Sequence, residues 1–237
     1  MPAQIKENDP RIETENVSFQ GASGKVNAYL VRPKGVKKAP GVVIIHENKG
    51  LQPHIKDVAR RAALEGFVVL APDFMTPVGG TPADEAKAPD IIKGLDMNKT
   101  TGDGIAAVAY LRGRADANGK VGTVGFCWGG GLSNQIAVND PTLNAGVVFY
   151  GRSPADADVT KIKARMMLNY GSLDTNINPS VPPYEAALKA AGKNYKLYMY
   201  EGGQHAFYND DNPQRHHPEN SKVAWKRTMD FLREAIA

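Results

Sequence analysis

The most reactive side chain that this 237-residue sequence offers is its single cysteine, which stands inside a glycine-rich turn. Cys127 follows the apolar run 121–126 and precedes a segment that opens with Trp128. Gly125 and Gly129 flank it at two residues' distance, as in the G-x-S-x-G turn that presents a nucleophile between a strand and a helix. Only small residues fit beside such a strained turn. The helix N-terminus also favours negative charge on the sulfur. The pattern predicts a nucleophilic thiol rather than an inert buried cysteine.

A nucleophilic thiol needs a base and a group that orients the base. Asp174 and His205 follow Cys127 in the chain, and each comes shortly after an apolar segment that is typical of a strand, 164–170 and 195–200. Nucleophile, acid and histidine stand in this order in hydrolases built on such a turn. Loops at the carboxyl ends of parallel strands meet at one edge of a sheet. The order therefore predicts a Cys127–His205–Asp174 triad for acyl transfer. Alternatively, the aspartate is a turn residue and the histidine is structural.

The end of another apolar run, 41–46, supplies a carboxylate and a backbone donor to the same edge. In this arrangement the loop after that strand and the residue after the nucleophile each give one N–H to an oxyanion hole. We therefore assign the backbone N–H groups of Asn48 and Trp128 to this role. Glu47 is then expected near the sulfur, unless it is a solvated carboxylate at the strand end.

Other polar residues have weaker claims to catalysis or metal binding. Asp73 precedes the nucleophile in the chain, whereas Asp210 and Asp211 follow His205. His54 is expected on the exposed start of a helix. A pair of adjacent histidines lies among prolines and polar residues, which is typical of a surface loop rather than a metal site. We predict no metal and no organic cofactor. These residues are Asp73, Asp210, Asp211, His54, His216 and His217.

The elements that must position these groups alternate along the chain, which predicts an α/β fold. We expect a mostly parallel central sheet of about eight strands with helices on both faces, in a single domain over 1–237. The first 12 or so residues are expected to be an extension of that domain. Thr100 and Asp103 match a helix capping box, and 72–97 is predicted to be a long surface loop. Strands are predicted at 15–20, 25–32, 41–46, 67–71, 121–126, 145–150, 164–170 and 195–200, and helices at 53–65, 100–114, 128–138, 183–191 and 219–236.

Composition excludes several classes of partner. Hydrophobic residues make up 42% and charged residues 23% of the chain, as in ordinary globular proteins. The formal net charge of +4 is spread along the sequence without basic runs that alternate with aromatic residues, so we expect no nucleic-acid partner. No apolar run is long enough to span a membrane. One cysteine allows no intrachain disulfide, which is compatible with a reducing compartment, and we predict a cytoplasmic protein. We also expect a monomer or small homo-oligomer.

Together these segments resemble the dienelactone hydrolase (carboxymethylenebutenolidase) family of the α/β-hydrolase superfamily. The resemblance covers roughly residues 25–236 and rests on Gly-Phe-Cys-Trp-Gly-Gly at 125–130, His-Glu-x-x-Gly at 46–50, Ala-Pro-Asp at 71–73, and the loops that carry Asp174 and His205. It implies an α/β-hydrolase fold and hydrolysis of small esters or lactones by a Cys-His-Asp triad. It also implies that Glu47 pairs with the resting thiol and takes part in its activation.

The sequence defines the substrate less closely than it defines the reaction. Dienelactone hydrolases hold a substrate carboxylate with arginines, yet no arginine follows His205 within 206–209, and none lies in 73–97. Arg152 is the candidate replacement, unless it is a surface residue. Tyr150 and Phe207 complete the predicted substrate contacts. A general short-chain esterase or thioesterase, and a non-catalytic binding or thiol redox-sensing protein on the same fold, are the alternatives.

Overall fold

A computed structural model describes residues 4–237, which form one eight-stranded sheet. Its strands are β1 (Ile12–Gly21), β2 (Gly24–Pro33), β3 (Ala39–Ile45), β4 (Val68–Pro72), β5 (Ala117–Phe126), β6 (Ala145–Phe149), β7 (Arg165–Gly171) and β8 (Tyr195–Tyr200). They lie in the order β1-β2-β4-β3-β5-β6-β7-β8. Strand β2 is antiparallel to both of its neighbours, and the remaining pairs are parallel. The predicted α/β fold with a mostly parallel sheet is confirmed.

Helices cover both faces of this sheet. They are α1 (Pro53–Leu64), α2 (Ala88–Lys93), α3 (Met97–Arg112), α4 (Trp128–Asn139), α5 (Val181–Ala190) and α6 (Pro218–Ile236). Helices α1 and α6 pack in one core cluster, whereas α3, α4 and α5 pack in the other. Alternate side chains of β3 enter the two clusters, Val42 and Ile44 on one face and Val43 and Ile45 on the other. This two-sided burial explains why the central strands are continuous apolar runs.

The parallel pairing brings the loops that carry chemistry to one edge. Ile45 at the end of β3 pairs with Gly125, Phe126 pairs with Phe149, and Gly171 of β7 pairs with Tyr200 of β8. The segments that leave β3, β5, β6, β7 and β8 therefore start side by side at the carboxyl edge of the sheet. This is the edge at which open α/β sheets place their sites.

The start of α3 differs from the prediction. The capping box assigned to Thr100 and Asp103 is wrong, because Asp96 caps the helix by accepting the backbone N–H groups of Asn98 at 2.9 Å and Lys99 at 3.2 Å. Thr100 and Asp103 are buried inside the helix. Asp103 instead accepts the backbone N–H of Ser23 at 2.8 Å and so fixes the β1–β2 turn. A tertiary contact thus uses the carboxylate that the local pattern assigned to a cap.

The segment 72–97 is not the plain surface loop that its composition predicts. It contains α2 and two short 3₁₀ turns, Thr76–Val78 and Glu85–Lys87. Met75, Ala88 and Ile92 are buried in a small apolar cluster that contacts Trp128. The segment therefore forms a wall beside the turn that carries the cysteine.

The segment ahead of the first strand is joined to α1 at Ile5. The backbone N–H of Ile5 donates to Asp57 at 2.6 Å, and Arg60 donates to the Ile5 carbonyl at 2.5 Å. Within residues 4–237 there is no helix with the length and apolar character needed to cross a membrane.

Candidate active site

The turn between β5 and α4 holds Cys127 in a strained backbone conformation. Its φ is 55° and its ψ is −116°, a backbone conformation that residues other than glycine rarely adopt. A Cβ at position 125 would overlap the carbonyl oxygen of Gly129, and one at position 129 would overlap the carbonyl oxygen of His46. The glycines that identified the turn in the sequence are therefore required by close backbone packing.

Three predicted side chains form one chain of contacts at the sheet edge. The Nε2 atom of His205 lies 3.1 Å from the Cys127 sulfur, and its Nδ1 atom lies 2.6 Å from Oδ2 of Asp174. Asp174 is buried, and its other oxygen accepts the backbone N–H of Ile177 at 3.2 Å. Because the carboxylate can only accept, Nδ1 carries a proton and Nε2 turns a lone pair toward the sulfur. The arrangement has the geometry of a thiol, a base and an orienting acid.

The sulfur environment opposes ionisation in the resting protein. Burial, and next the negative charge of Glu47, raise the pKa of Cys127 to about 12, against the lowering effect of backbone N–H groups of Trp128 and Asn48 that bond to the sulfur. The thiol is therefore protonated at neutral pH. If the sulfur attacked a carbonyl group, the same two N–H groups would be placed to bind the negatively charged oxygen that forms.

Glu47 reaches the site but takes its hydrogen bonds from other side chains. The Tyr150 hydroxyl donates to one carboxylate oxygen at 3.2 Å, and the Asn209 amide donates to the other at 2.8 Å. Burial, and next the Glu47 charge, hold the pKa of Tyr150 well above its usual range, so its hydroxyl remains a donor. Glu47 thus acts on the thiol through its charge. The sequence reasoning missed Asn209, whose only signal was its place in the loop after His205.

Cys127 lies between two lobes of an open cleft. A polar lobe of about 660 Å³ is lined by residues that include Glu47, Lys49, His54, Asn209 and Arg215. A second lobe of about 620 Å³ is largely apolar, with Ile92, Leu95, Met97, Trp128, Leu132, Tyr150 and Ile177 among its lining residues. Cys127, His205 and Asn48 border both lobes. A substrate carbonyl at the sulfur can therefore carry one substituent into each lobe.

The predicted substrate contacts divide between the cleft and the core. Arg152 is exposed at the apolar lobe, and its backbone carbonyl accepts the Asn134 amide at 2.9 Å. Tyr150 borders the same lobe but is itself buried, with its hydroxyl bonded to Glu47. Phe207, in contrast, is fully buried against Phe149, Tyr150 and Tyr200 beneath the cleft. Because its ring does not reach the cleft, we assign it a packing role and no contact with substrate.

His54 is not on an exposed helix start, as the sequence analysis expected, but is buried beside Asp210 at 2.9 Å. Asp210 also binds Arg61 at 2.6 Å. His54, Asp210 and Asp211 hold candidate ligand atoms within 4.8 Å of one another. The arginine nevertheless makes this group an ion-pair network, because its charge opposes a cation.

The remaining alternatives have structural roles. Asp73 accepts hydrogen bonds from the backbone of Met75 at 3.0 Å and of Thr81 at 2.9 Å, so it stabilises the turn after β4. His217 caps α6.

Fold and site geometry together define an α/β-hydrolase: one antiparallel strand in an otherwise parallel sheet, and a nucleophile turn after β5. Comparison with known proteins places the chain in a narrower group. Residues 26–236 match the model of the Dienelactone hydrolase family, and the chain belongs to that family. Membership confirms the prediction of a hydrolase of the class that acts on esters or lactones.

Relatives and solved structures agree with this assignment. A Salmonella typhimurium protein named "Putative carboxymethylenebutenolidase" is 30% identical over 247 residues, which cover 98% of this chain and 91% of the relative. A Klebsiella pneumoniae structure described as a "Putative Dienelactone Hydrolase" has a TM-score of 0.83 at 25% identity, with 92% of this chain and 97% of that chain covered. P91, a dienelactone hydrolase-like promiscuous phosphotriesterase from metagenomic libraries, has the same fold, with a TM-score of 0.87, 21% identity, and 96% and 100% coverage.

Proposed function

We propose that the protein hydrolyses small carboxylic esters or lactones by transferring the acyl group to Cys127. The observation that carries this proposal is the contact chain from the sulfur to His205 at 3.1 Å and from His205 to Asp174 at 2.6 Å. In the proposed first step, Nε2 takes the thiol proton as the sulfur attacks the carbonyl carbon. The carbonyl oxygen becomes an oxyanion.

The oxyanion is held by the backbone N–H groups of Asn48 and Trp128, which already contact the sulfur. When the tetrahedral intermediate collapses, the alkoxide leaves and takes the proton from His205. In a lactone this alkoxide stays tethered to the acyl group. Water then attacks the thioester and gives its proton to Nε2, and the released thiolate recovers that proton. No redox step is involved, and the protein returns to its starting state.

Glu47 is proposed to keep the resting sulfur protonated. Its negative charge opposes thiolate formation until a substrate carbonyl lies within reach of the sulfur. A neutral thiol resists oxidation, because the thiolate is the form that peroxide attacks. The carboxylate is held for this role by Tyr150 and Asn209.

The apolar lobe is proposed to take the apolar part of the substrate, with Arg152 at its rim. Tyr150 and Trp128 supply its walls next to the sulfur. Arg152 is a cation at a lobe whose lining contains no carboxylate, so it suits an anionic group on the substrate. Arg152→Gln should raise KM for an ester that carries a carboxylate and leave KM for its neutral analogue unchanged. Equal effects on both esters would remove Arg152 from substrate recognition.

Mixing the protein with an excess of an activated ester separates the proposed function from its alternatives. A cysteine hydrolase releases a burst of alcohol equal to the concentration of active sites if deacylation is slow, followed by steady turnover. Comparison of lactones with linear esters and thioesters then distinguishes the lactone hydrolase from a general esterase or thioesterase. Reversible oxidation of Cys127 by peroxide without any ester turnover would support a redox sensor instead.

A further inference from the structure

We propose that His46 is a positioning residue that sets the direction of the oxyanion-hole N–H of Asn48. His46 directly follows β3 and its side chain has no exposed surface. It lies outside both lobes of the cleft and has no contact with the triad that would make it a base. The inference rests on the proposed function, because only an acyl-transfer reaction uses the oxyanion hole.

Both ring nitrogens of His46 have a defined partner. The backbone N–H of Phe74 points to Nε2 at 3.2 Å, so Nε2 must accept. Nδ1 lies 2.7 Å from the backbone carbonyl of Glu47, which can only accept, so Nδ1 must donate. The ring is therefore neutral with its proton on Nδ1. Burial also lowers the pKa of His46, which keeps the ring in this neutral form.

The carbonyl that His46 holds belongs to the peptide unit that supplies the donor. The C=O of Glu47 and the N–H of Asn48 lie in one rigid plane, and in a trans peptide they point in opposite directions. The described chain contains no cis peptide bond. The buried ring at 2.7 Å and the backbone N–H of Gly50 at 3.2 Å both hold this carbonyl, so the N–H of Asn48 points the opposite way, to the Cys127 sulfur, which it contacts.

His46 also supports the second donor of the hole. Its ring stacks on the Trp128 ring, with centroids 5.3 Å apart and planes 12° from parallel. Its own carbonyl oxygen lies so close to Gly129 that a Cβ there would overlap it. One buried ring therefore contacts Trp128 directly and reaches Asn48 through the Glu47 carbonyl of the shared peptide unit, and preorganised donors are what makes such a hole effective.

Two amide substitutions separate the two ring nitrogens. His46→Asn places an amide donor where Nδ1 stands, whereas His46→Gln places an acceptor near Nε2 and removes the bond to Glu47. We expect kcat for ester hydrolysis to fall about tenfold or more in His46→Gln, less than the roughly 10²–10³-fold that removal of an oxyanion donor costs because the N–H is misdirected and not removed, and to be largely retained in His46→Asn. His217→Gln, outside the cleft, is the matched control and should keep the wild-type kcat. Equal kcat in the two His46 variants would overturn the proposal.

Alkylation of Cys127 tests for an oxyanion-specific effect. Iodoacetamide reacts at a saturated carbon and builds no oxyanion, so its rate with His46→Gln should fall only through the weaker contact of the Asn48 N–H with the sulfur, and by less than kcat. A parallel loss of both rates would mean that His46 supports the turn in general, and the proposal would fail. Absence of ester turnover in the wild type would instead contradict the proposed function.

The wild-type protein allows a test that does not depend on whether the variants fold. Nitrogen-15 NMR of the five histidines distinguishes a protonated Nδ1 from a protonated Nε2. We expect His46 to show the Nδ1–H form and to remain neutral at a pH at which an exposed histidine is charged. A proton on Nε2, or a charged ring at neutral pH, would overturn the proposal.

Discussion

Cys127 lies between a histidine that can take its proton and a carboxylate that opposes its loss. His205 stands 3.1 Å from the sulfur, whereas Glu47 is held nearby by Tyr150 and Asn209. Because burial and the Glu47 charge raise the thiol pKa, the account requires the proton to leave during attack rather than before it. A resting thiol and an active nucleophile are then compatible in one site.

Removing the charge of Glu47 should lower the pKa of Cys127. In Glu47→Gln one like charge beside the sulfur is lost, so the thiolate forms at lower pH than in the wild type. Thiolate absorbance in the ultraviolet measures this titration directly, and Cys127 is the only thiol. Peroxide should also oxidise the variant faster at a fixed pH below the wild-type pKa. Glu85→Gln, an exposed residue paired with Lys49, is the control. Identical titrations of Glu47→Gln and wild type would refute this role.

The triad partners should act as a unit. His205→Ala and Asp174→Asn should each lower kcat roughly 10²-fold or more, because the base is lost in one and misoriented in the other. The double variant should be little slower than His205→Ala, since the aspartate works only through the histidine. Steady-state kinetics of the three variants checks this. Losses that multiply fully would show that the two side chains act independently.

At the level of elements, the turn after β5 is built for close backbone contact. Gly125→Ala would push a methyl group into the Gly129 carbonyl, which has no room to move between β5 and α4. We expect a large loss of stability or insoluble protein, as for other overpacked buried sites. Gly131→Ala, in the helix α4 that follows the turn, is the matched control, because its Cβ would meet nothing closer than 3.7 Å. Urea melts of both proteins measure the difference; equal midpoints would disprove the packing argument.

Local sequence patterns located the elements and the three residues Cys127, His205 and Asp174 that contact one another, because each depends on a short segment and on the order of strands. The apolar runs fixed the buried strands, and the glycines around Cys127 fixed the turn. Asn209 was not assigned its contact because its partner Glu47 lies far along the chain, and the ring of His46 is oriented by Phe74 and Trp128, which are also distant in sequence. The capping box at Thr100 failed for the same reason, since Asp103 serves the distant Ser23. The wall formed by 72–97 was missed because its few apolar residues are spread among turn-forming ones.

Across the whole molecule, a buried ion-pair network ties the N-terminal segment and α1 to the loop after His205. Arg61 binds both Asp57 and Asp210, and Asp57 also accepts the backbone N–H of Ile5. Gln4 bonds to Asp211 at 3.2 Å on the far side of the same loop. The N-terminal segment and α1 therefore hold the loop that lines the polar lobe of the cleft.

Arg61→Leu should destabilise the protein by about 3–5 kcal/mol at neutral pH, because two carboxylates lose a buried counter-charge. Burial alone would raise the pKa of Asp210. Pairing with His54 and Arg61 outweighs burial and lowers this pKa below its value in the unfolded chain. Stability from this pairing is thus present above the unfolded pKa and is lost as the pH falls. The difference in unfolding free energy should therefore shrink in acid. Urea melts at pH 7 and pH 3 test this; a constant difference would contradict the assigned cause.

Arg11→Ala provides the control for that comparison. Its ion pair with Asp9 is exposed to solvent, so its loss should leave the urea midpoint close to that of the wild type.

Trapping the acyl group on the protein tests the central claim most directly. The protein is mixed with an activated ester, quenched in acid within the burst phase, and digested for mass spectrometry. We predict one acyl adduct per protein, on the peptide that contains Cys127, and neither adduct nor turnover beyond a small residual rate in Cys127→Ala. Undiminished ester turnover by a folded Cys127→Ala protein, or an adduct on a different residue, would contradict the account.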